Sequence, residues 1–380
     1  MLILNKVLFI CTDWWQLAGS SLSLLNLLDA VKHKVYPIVL IPYEGEAAKE
    51  FRSRGYEVLV CPFFFLWEKK PNPRTLLCNP LKARAWRYWH LDRRCARYVA
   101  EKLESCDVQI VHSNSTITTV GVKVAKHLHA KHVWHIREFL DLDFHINVYR
   151  GRVRLKKIID KADMRICISN AIAKHWDFCS ETMIIPDAVH KSSDVVYNPK
   201  KNKYFLFCAT SLSDNKGANT AVKAFAKSEV WKDDYKLVLI GNCSDEYRIK
   251  LLQITDSLGA PNDILQFVGF QKDVRTYFEK ATAFLMCSEY EGLGRVSVEA
   301  MFYGCLVIGR NSGGTVDFIH NSETGYLFDT VEECADLIKE VILKNNEPVI
   351  KKAQELVLET FTEEVYGERI LNIYEKVLNA

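Results

Sequence analysis

Three side chains in the second half of the chain have the types and spacing to handle a phosphorylated, hydroxyl-rich ligand. Glu291 lies in the polar, glycine-bearing stretch Ser288–Gly294, and Glu299 falls within the helical segment that follows. Lys216 stands immediately before Gly217, at the expected N-terminus of another helix. A carboxylate accepts hydrogen bonds from sugar hydroxyls. An ammonium beside a helix N-terminus neutralises phosphate, and a glycine there lets the backbone approach. The bland reading of Lys216 is a solvated loop lysine.

These residues need a scaffold that brings their loops together. The apolar run Thr282–Cys287 predicts a strand, Ser288–Gly294 a loop, and Arg295–Tyr303 a helix stopped by Gly304. Cys305–Gly309 predicts a second buried strand, opening into the small-residue loop Asn311–Gly314, with Thr315 placed to cap a short helix. Two strand–loop–helix units in succession set their loops side by side at the carboxyl ends of a parallel sheet, where open α/β sheets bind ligands. Upstream, Tyr204–Ala209, Lys236–Gly241 and Leu265–Gly269 read as strands. They alternate with helices over Ala218–Lys227, Glu246–Leu258 and Val274–Lys280.

The first half repeats this alternation. Strands are expected over Val7–Cys11, Val35–Ile41, Glu57–Cys61, Val108–Ser113 and Asp163–Ser169, with a further one in the run His132–Phe139, so the class is α/β with doubly wound parallel sheets. The loop after the first strand holds Ala18, Gly19, Ser20 and Ser21. His135 and Glu138 stand at the end of a strand, where a crevice is expected; a structural histidine is the competing reading. The basic, proline-bearing stretch Tyr197–Lys203 is taken as the linker, giving domains 1–197 and 198–361. The apolar face of 362–380 is expected to pack back on the first domain.

A chain of 380 residues, 48% hydrophobic and 26% charged, has ample core for two domains and no composition for disorder. No stretch has the apolar length of a membrane span, and Met1–Trp15 reads as a first strand rather than a signal peptide, so a cytoplasmic protein is expected. The 12 cysteines include no C-x-x-C pair and read as reduced core thiols. Asp141-Leu142-Asp143 has the form of a metal-binding D-x-D, a pattern too short to separate from chance, and no metal site is assigned.

From Trp67 to Tyr98, Lys69, Lys70, Arg74, Lys82, Arg84, Arg87, Arg93, Arg94 and Arg97 interleave with Trp67, Trp86, Tyr88 and Trp89. Such a stretch suits an anionic membrane surface, or a solvated helix with its aromatics turned inward. Nucleic acid ranks third, because no recognised nucleic-acid module accompanies it.

Together, S-x-x-E-G-x-G-x-x-x-x-E-A-M at Ser288–Met301, N-K-G at Asn215–Gly217 and G-G-x-x-D at Gly313–Asp317 resemble family 4 glycosyltransferases. These are retaining enzymes of the GT-B fold, with two Rossmann-like domains facing across a cleft and an E-x7-E signature. The resemblance implies that Glu299 holds the ribose hydroxyls of a nucleotide and Glu291 the hydroxyls of the transferred sugar. Lys216 would bind the diphosphate with the backbone N–H groups of Gly292, Leu293 and Gly294. His135 would reach the donor sugar or reacting centre, and Gly19 would admit the phosphates. No metal or other cofactor is implied.

The implied donor is a UDP- or GDP-type nucleotide sugar, the acceptor a glycan or polyprenyl-linked glycan at the inner face of the plasma membrane. Ser211 stands where the family usually carries Arg on the diphosphate, Asp317 where Glu is commoner, and Asp187-Ala188 where Asn-Gly is favoured. Paired carboxylates also suggest a glycoside hydrolase, but that chemistry needs both to flank one bond, and Glu299 within a helix suits a ribose better. Ser211 leaves open a non-catalytic relative that binds nucleotide or glycan as a scaffold; a GT-B epimerase or phosphorylase would differ in its products.

Overall fold

The computed structural model describes residues 5–15, 17, 19–68 and 80–380. The chain divides into two compact units, Met1–Ala188 with Glu363–Ala380, and Val189–Thr362.

In the first unit the strands are β1 (Asn5–Ile10), β2 (Val35–Ile41), β3 (Glu57–Val60), β4 (Trp67–Glu68), β5 (Val108–Ser113), β6 (Lys131–Ile136), β7 (Asn147–Val148), β8 (Met164–Cys167) and β9 (Thr182–Ile184). The helices are α1 (Gly19–Val31), α2 (Glu46–Ser53), α3 (Pro80–Lys102), α4 (Val120–Leu128), α5 (Arg152–Ile159) and α6 (Asn170–Trp176). Seven strands form one sheet in the order β3-β2-β1-β5-β6-β8-β9, while β4 and β7 make a separate antiparallel pair. Side chains alternate faces along a strand. Val7 and Phe9 of β1 therefore enter a core built with α1 and α2, whereas Leu8 and Ile10 enter one built with α3 and α4. A sheet covered on both faces explains why its strands read as continuous apolar runs.

The second unit holds β10 (Tyr204–Ser211), α7 (Ala218–Ser228), β11 (Lys236–Asn242), α8 (Asp245–Ser257), β12 (Leu265–Gly269), α9 (Arg275–Lys280), β13 (Ala283–Met286), α10 (Arg295–Phe302), β14 (Leu306–Arg310), β15 (Tyr326–Phe328), α11 (Val331–Val341) and α12 (Glu347–Thr360). Its parallel sheet runs β12-β11-β10-β13-β14-β15. Local chemistry sets the helix ends. Ser244 Oγ caps α8 by accepting from Tyr247 N–H, and Thr330 with Glu333 forms a capping box on α11. Gly304, at φ 61°, ends α10 as expected.

The chain then returns to the first unit as α13 (Glu363–Leu378), which buries Tyr366, Ile370, Ile373, Tyr374 and Val377 in the core beneath α1 and α2. Gly367 makes this possible, since a Cβ there would lie 2.8 Å from Cβ of Ala30. The division falls earlier than the linker expected at 197–203. Val189 N–H donates to Phe361 O and Val196 N–H to Phe302 O, which ties 189–197 to the second unit.

Candidate functional site

Both sheets reverse their winding once, between β1 and β5 in the first unit and between β10 and β13 in the second. Loops at such a switch point diverge and leave a crevice at the strand ends. In the second unit the flanking loops are 212–217 and 287–294, and they meet through their backbones. Gly217 has φ 78°, and a Cβ on it would sit 2.2 Å from the carbonyl oxygen of Cys287. Ser288 Oγ donates to the carbonyl of Asn215 at 3.1 Å. Lys216 Nζ is thereby brought to 2.7 Å from Glu291 Oε1.

The loop after β14 holds Glu291 from the other side. Gly314 N–H donates to Glu291 O at 2.8 Å, and a Cβ on Gly314 would meet Gly292 O at 2.3 Å. Glycine is required at both close approaches. Gly294, at φ 83°, turns the chain into α10, whose first-turn amides open onto this loop. Ser297 Oγ, Ser312 Oγ and Thr315 Oγ1 are buried without a hydrogen-bond partner, and the first and third lie beside the Cα of Gly294. Thr315 is therefore not the cap the sequence suggested; it stands inside a short 3-10 turn, Gly313–Asp317, whose N-cap position is Ser312.

Glu299 lies one helical turn below the α10 N-terminus. Burial raises its carboxyl above the ordinary range, and Arg295 opposes that shift. Its charge adds to the burial that pushes the Cys208 thiol and the Tyr303 hydroxyl up to about 12, which places the Glu299 carboxylate of α10 near Cys208 of β10. Ser211 is exposed at the end of β10. Asp214 in the same loop pairs with Lys250 and accepts from Tyr247 Oη.

The first unit treats its candidates differently. His135 is 0% exposed and takes part in a buried polar network, so the substrate contact expected of it has no surface to work through. Arg137 is the centre of that network. It donates to Asn114 Oδ1, Ser23 Oγ, Tyr366 Oη and His135 Nδ1, and forms an ion pair with Asp187. Burial alone would weaken its charge, but Asp187 and Tyr366 outweigh that and keep it protonated.

An arginine only donates, so His135 Nδ1 is an acceptor and the proton resides on Nε2, 3.8 Å from Asp187 Oδ1. His112 Nε2 then donates to His135 Nδ1, and His112 Nδ1 accepts from Tyr374 Oη. Both rings are neutral: burial, then Arg137, lowers His112 to about 3 and His135 well below its usual value. Glu138 is half-buried. It accepts from Ser115 and Thr116, and burial raises its carboxyl.

Gly19 opens α1, where Asp13 accepts from Ser20 Oγ and Ser21 N–H and so already occupies the first helical turn with a carboxylate. Ala18 lies outside the described residues. Asp141 pairs with Arg152 and His175, and Asp143 accepts from Phe139 and Phe144 N–H, so both D-x-D carboxylates serve local structure. On α3, Asp92, Cys95, Ala96 and Val99 face inward while Trp89, Arg93, Arg94 and Arg97 face out. Lys69, Lys70 and Arg74 of the basic stretch lie outside the described residues. No helix among the described residues is long and apolar enough to cross a membrane.

The chain superposes on the crystal structure of Anabaena Alr3699/HepE in complex with UDP and glucose at a TM-score of 0.76. That likeness covers 98% of this chain and 100% of the other at 18% identity. The fold is GT-B. Within this GT-B chain, residues 190–356 match the family model described as Glycosyl transferases group 1. That stretch contains Lys216, Glu291, Glu299 and both flanking loops; Gly19 and His135 lie before it.

The chain is 28% identical over 181 residues to N-acetyl-alpha-D-glucosaminyl L-malate synthase of Bacillus anthracis, across 48% of this chain and 46% of that one. It is 26% identical over 234 residues to the human GDP-Man:Man(3)GlcNAc(2)-PP-Dol alpha-1,2-mannosyltransferase, across 55% and 46%. The chain thus spans about half the length of these relatives.

Arg137, Asp187 and Tyr366 form a cluster that reading the sequence did not assemble. The one available signal was Asp187, which stands where Asn is favoured. Its carboxylate answers the buried guanidinium of Arg137.

Proposed function

We propose that this chain is a family 4 retaining glycosyltransferase that moves a hexose from a nucleotide-diphosphate sugar to a glycan or lipid-linked glycan. The observation that carries the reading is the contact of Lys216 with Glu291 where two backbone-locked loops meet before the N-terminus of α10. A departing diphosphate needs preorganised positive charge, and a lysine beside first-turn amides supplies it without a metal. Glu299 is set for ribose hydroxyls and Glu291 for those of the sugar.

In the transfer the anomeric C–O bond to the β-phosphate breaks and its electron pair leaves with the diphosphate. The acceptor oxygen bonds to the same face of the anomeric carbon, and its proton passes to the departing phosphate oxygen. The UDP of the Anabaena relative and the GDP-mannose and dolichyl-diphosphate acceptor of the human one support these substrate classes. The cationic outer face of α3 supports peripheral placement on the inner face of the plasma membrane.

Nucleotide release from UDP-, GDP- and ADP-sugars, with and without acceptor, tests transfer; the anomeric configuration of the product tests retention. Absence of turnover together with absence of thermal stabilisation by every nucleotide would sink the reading. A second reading, a scaffold that binds nucleotide or glycan without turnover, is favoured by Ser211 and by the partner Lys216 already has in Glu291. Turnover that disappears in Lys216→Ala excludes it.

A further inference from the structure

The outer face of α3 does not stand alone. The segment Phe144–Lys157 contains Arg150, Arg152, Arg154, Lys156 and Lys157 and no acidic residue. Arg152 is paired with Asp141 and Lys156 with Asp177, whereas Arg150, Arg154 and Lys157 are exposed with no carboxylate partner among the described residues. Val153, flanked in the chain by Arg152 and Arg154, is 71% exposed, and Phe144, at the start of the segment beside Asp143, is 61% exposed. Large apolar side chains held in water among unpaired cations are the pattern of a surface that meets a bilayer: cations at the headgroups, apolar side chains below them.

This patch is joined to α3. Strand β7 pairs with β4, which leads into the basic stretch, and Tyr149 N–H donates to Leu66 O at 2.7 Å. The guanidinium of Arg150 lies 5.7 Å from the ring centre of Tyr88 on α3 and 5.3 Å from that of Tyr149. One residue along α3, Trp89 is 48% exposed with Arg93 stacked on it at 4.1 Å.

We infer that residues 144–157 and the outer face of α3 form one contact surface for an anionic bilayer, with Phe144 and Val153 as the side chains that enter it. The inference rests on the membrane reading of 67–98 and adds a second half that the sequence did not single out. Charge complementarity commits the surface to anionic lipid: among the described residues Arg87, Arg93, Arg94, Arg97, Arg150, Arg154 and Lys157 are exposed, while Glu101 lies beside the α3 row and Asp141 and Asp177 beside the 144–157 half are taken up by Arg152 and Lys156. Nucleic acid is the alternative polyanion, but it gives no reason for the exposed Phe144 and Val153.

The test is cosedimentation of the full chain with phosphatidylcholine vesicles, with and without phosphatidylglycerol. Wild type should bind only the mixed vesicles and be released by salt. Replacing three cations, as Arg150→Gln with Arg154→Gln and Lys157→Gln, should weaken partitioning about a hundredfold. Phe144→Ser with Val153→Ser should also weaken it, while melting temperature and turnover of a water-soluble acceptor stay at wild-type values. If the serine pair lowers the melting temperature, the glutamine triple decides.

Wild-type binding by the glutamine triple, alongside release by Arg93→Gln with Arg94→Gln and Arg97→Gln, would overturn the inference and leave the α3 reading standing. Failure of wild type to bind mixed vesicles, or binding to duplex DNA in preference to them, would overturn both. Glycosyl transfer is judged separately by turnover.

Discussion

Lys216 Nζ lies 2.7 Å from Glu291 Oε1, joining the loop after β10 to the loop after β13. The lysine side chain is 48% exposed and the glutamate 18%. An exposed pair of this kind is worth about 0–1 kcal/mol, so a diphosphate can take over the ammonium at little cost to the fold. In the proposed transfer, Glu291 would then be free to turn to the hydroxyls of the attached sugar, and the ion pair would be the resting position of both groups.

Glu299 lies deeper, and its raised pKa has a sign to follow. Between the ordinary glutamate value and the raised one, the folded chain keeps a proton that the unfolded chain has lost, so stability falls as pH rises through that window. At neutral pH the penalty is in force. Glu299→Gln should therefore melt at a higher temperature than wild type yet lose most of the rise in melting temperature that a nucleotide produces. A variant that melts lower but responds normally to nucleotide would contradict the ribose assignment.

The Arg137–Asp187 pair is buried, which reverses the reasoning applied to Lys216. Removing one partner strands a charge in the core, at a cost of about 3–5 kcal/mol. Arg137→Met should show a loss of that order in urea unfolding, and adding Asp187→Leu should restore much of it. A single variant within about 1 kcal/mol of wild type would show that the network bears little on stability, against the usual cost of an unpaired buried charge.

The neutral buried histidines predict acid sensitivity. His112 is lowered to about 3 and His132 to about 4, each chiefly by burial, so below the usual value of 6.5 the unfolded chain binds protons that the folded chain refuses. Stability should fall as pH drops from 6.5 toward 4, with a slope up to about 1.4 kcal/mol per pH unit for each ring. Unfolding measured across that range should be steeper for wild type than for His132→Gln. Equal slopes would mean that His132 is accessible and titrates normally.

Much of the fold was legible because its signals are local. The strand before Glu291, the helix carrying Glu299 and the glycine ending it follow from runs of apolar residues and a single left-handed turn. The burial of His135 was not legible. Strand β6 is covered on both faces, so it carries no alternation to show which way a side chain points, and the Tyr366 ring and Asp187 carboxylate beside His135 come from distant segments. The stretch 197–203 looked like a linker because it is polar. Lys201 Nζ, however, donates to the carbonyls of Glu279 and Gly304, and Asn202 N–H to Lys280 O, which binds it to the second unit. Composition marks a surface segment; it does not show whether the backbone is held.

The most direct test is nucleotide release from a panel of nucleotide sugars by wild type and by Lys216→Ala. The exposed lysine should leave the melting temperature within a degree or so, since surface changes lie within about ±0.5 kcal/mol. Turnover should fall about 10²–10³-fold, the cost of removing one donor from a developing anion. Wild-type turnover in Lys216→Ala, at unchanged stability, would contradict the account.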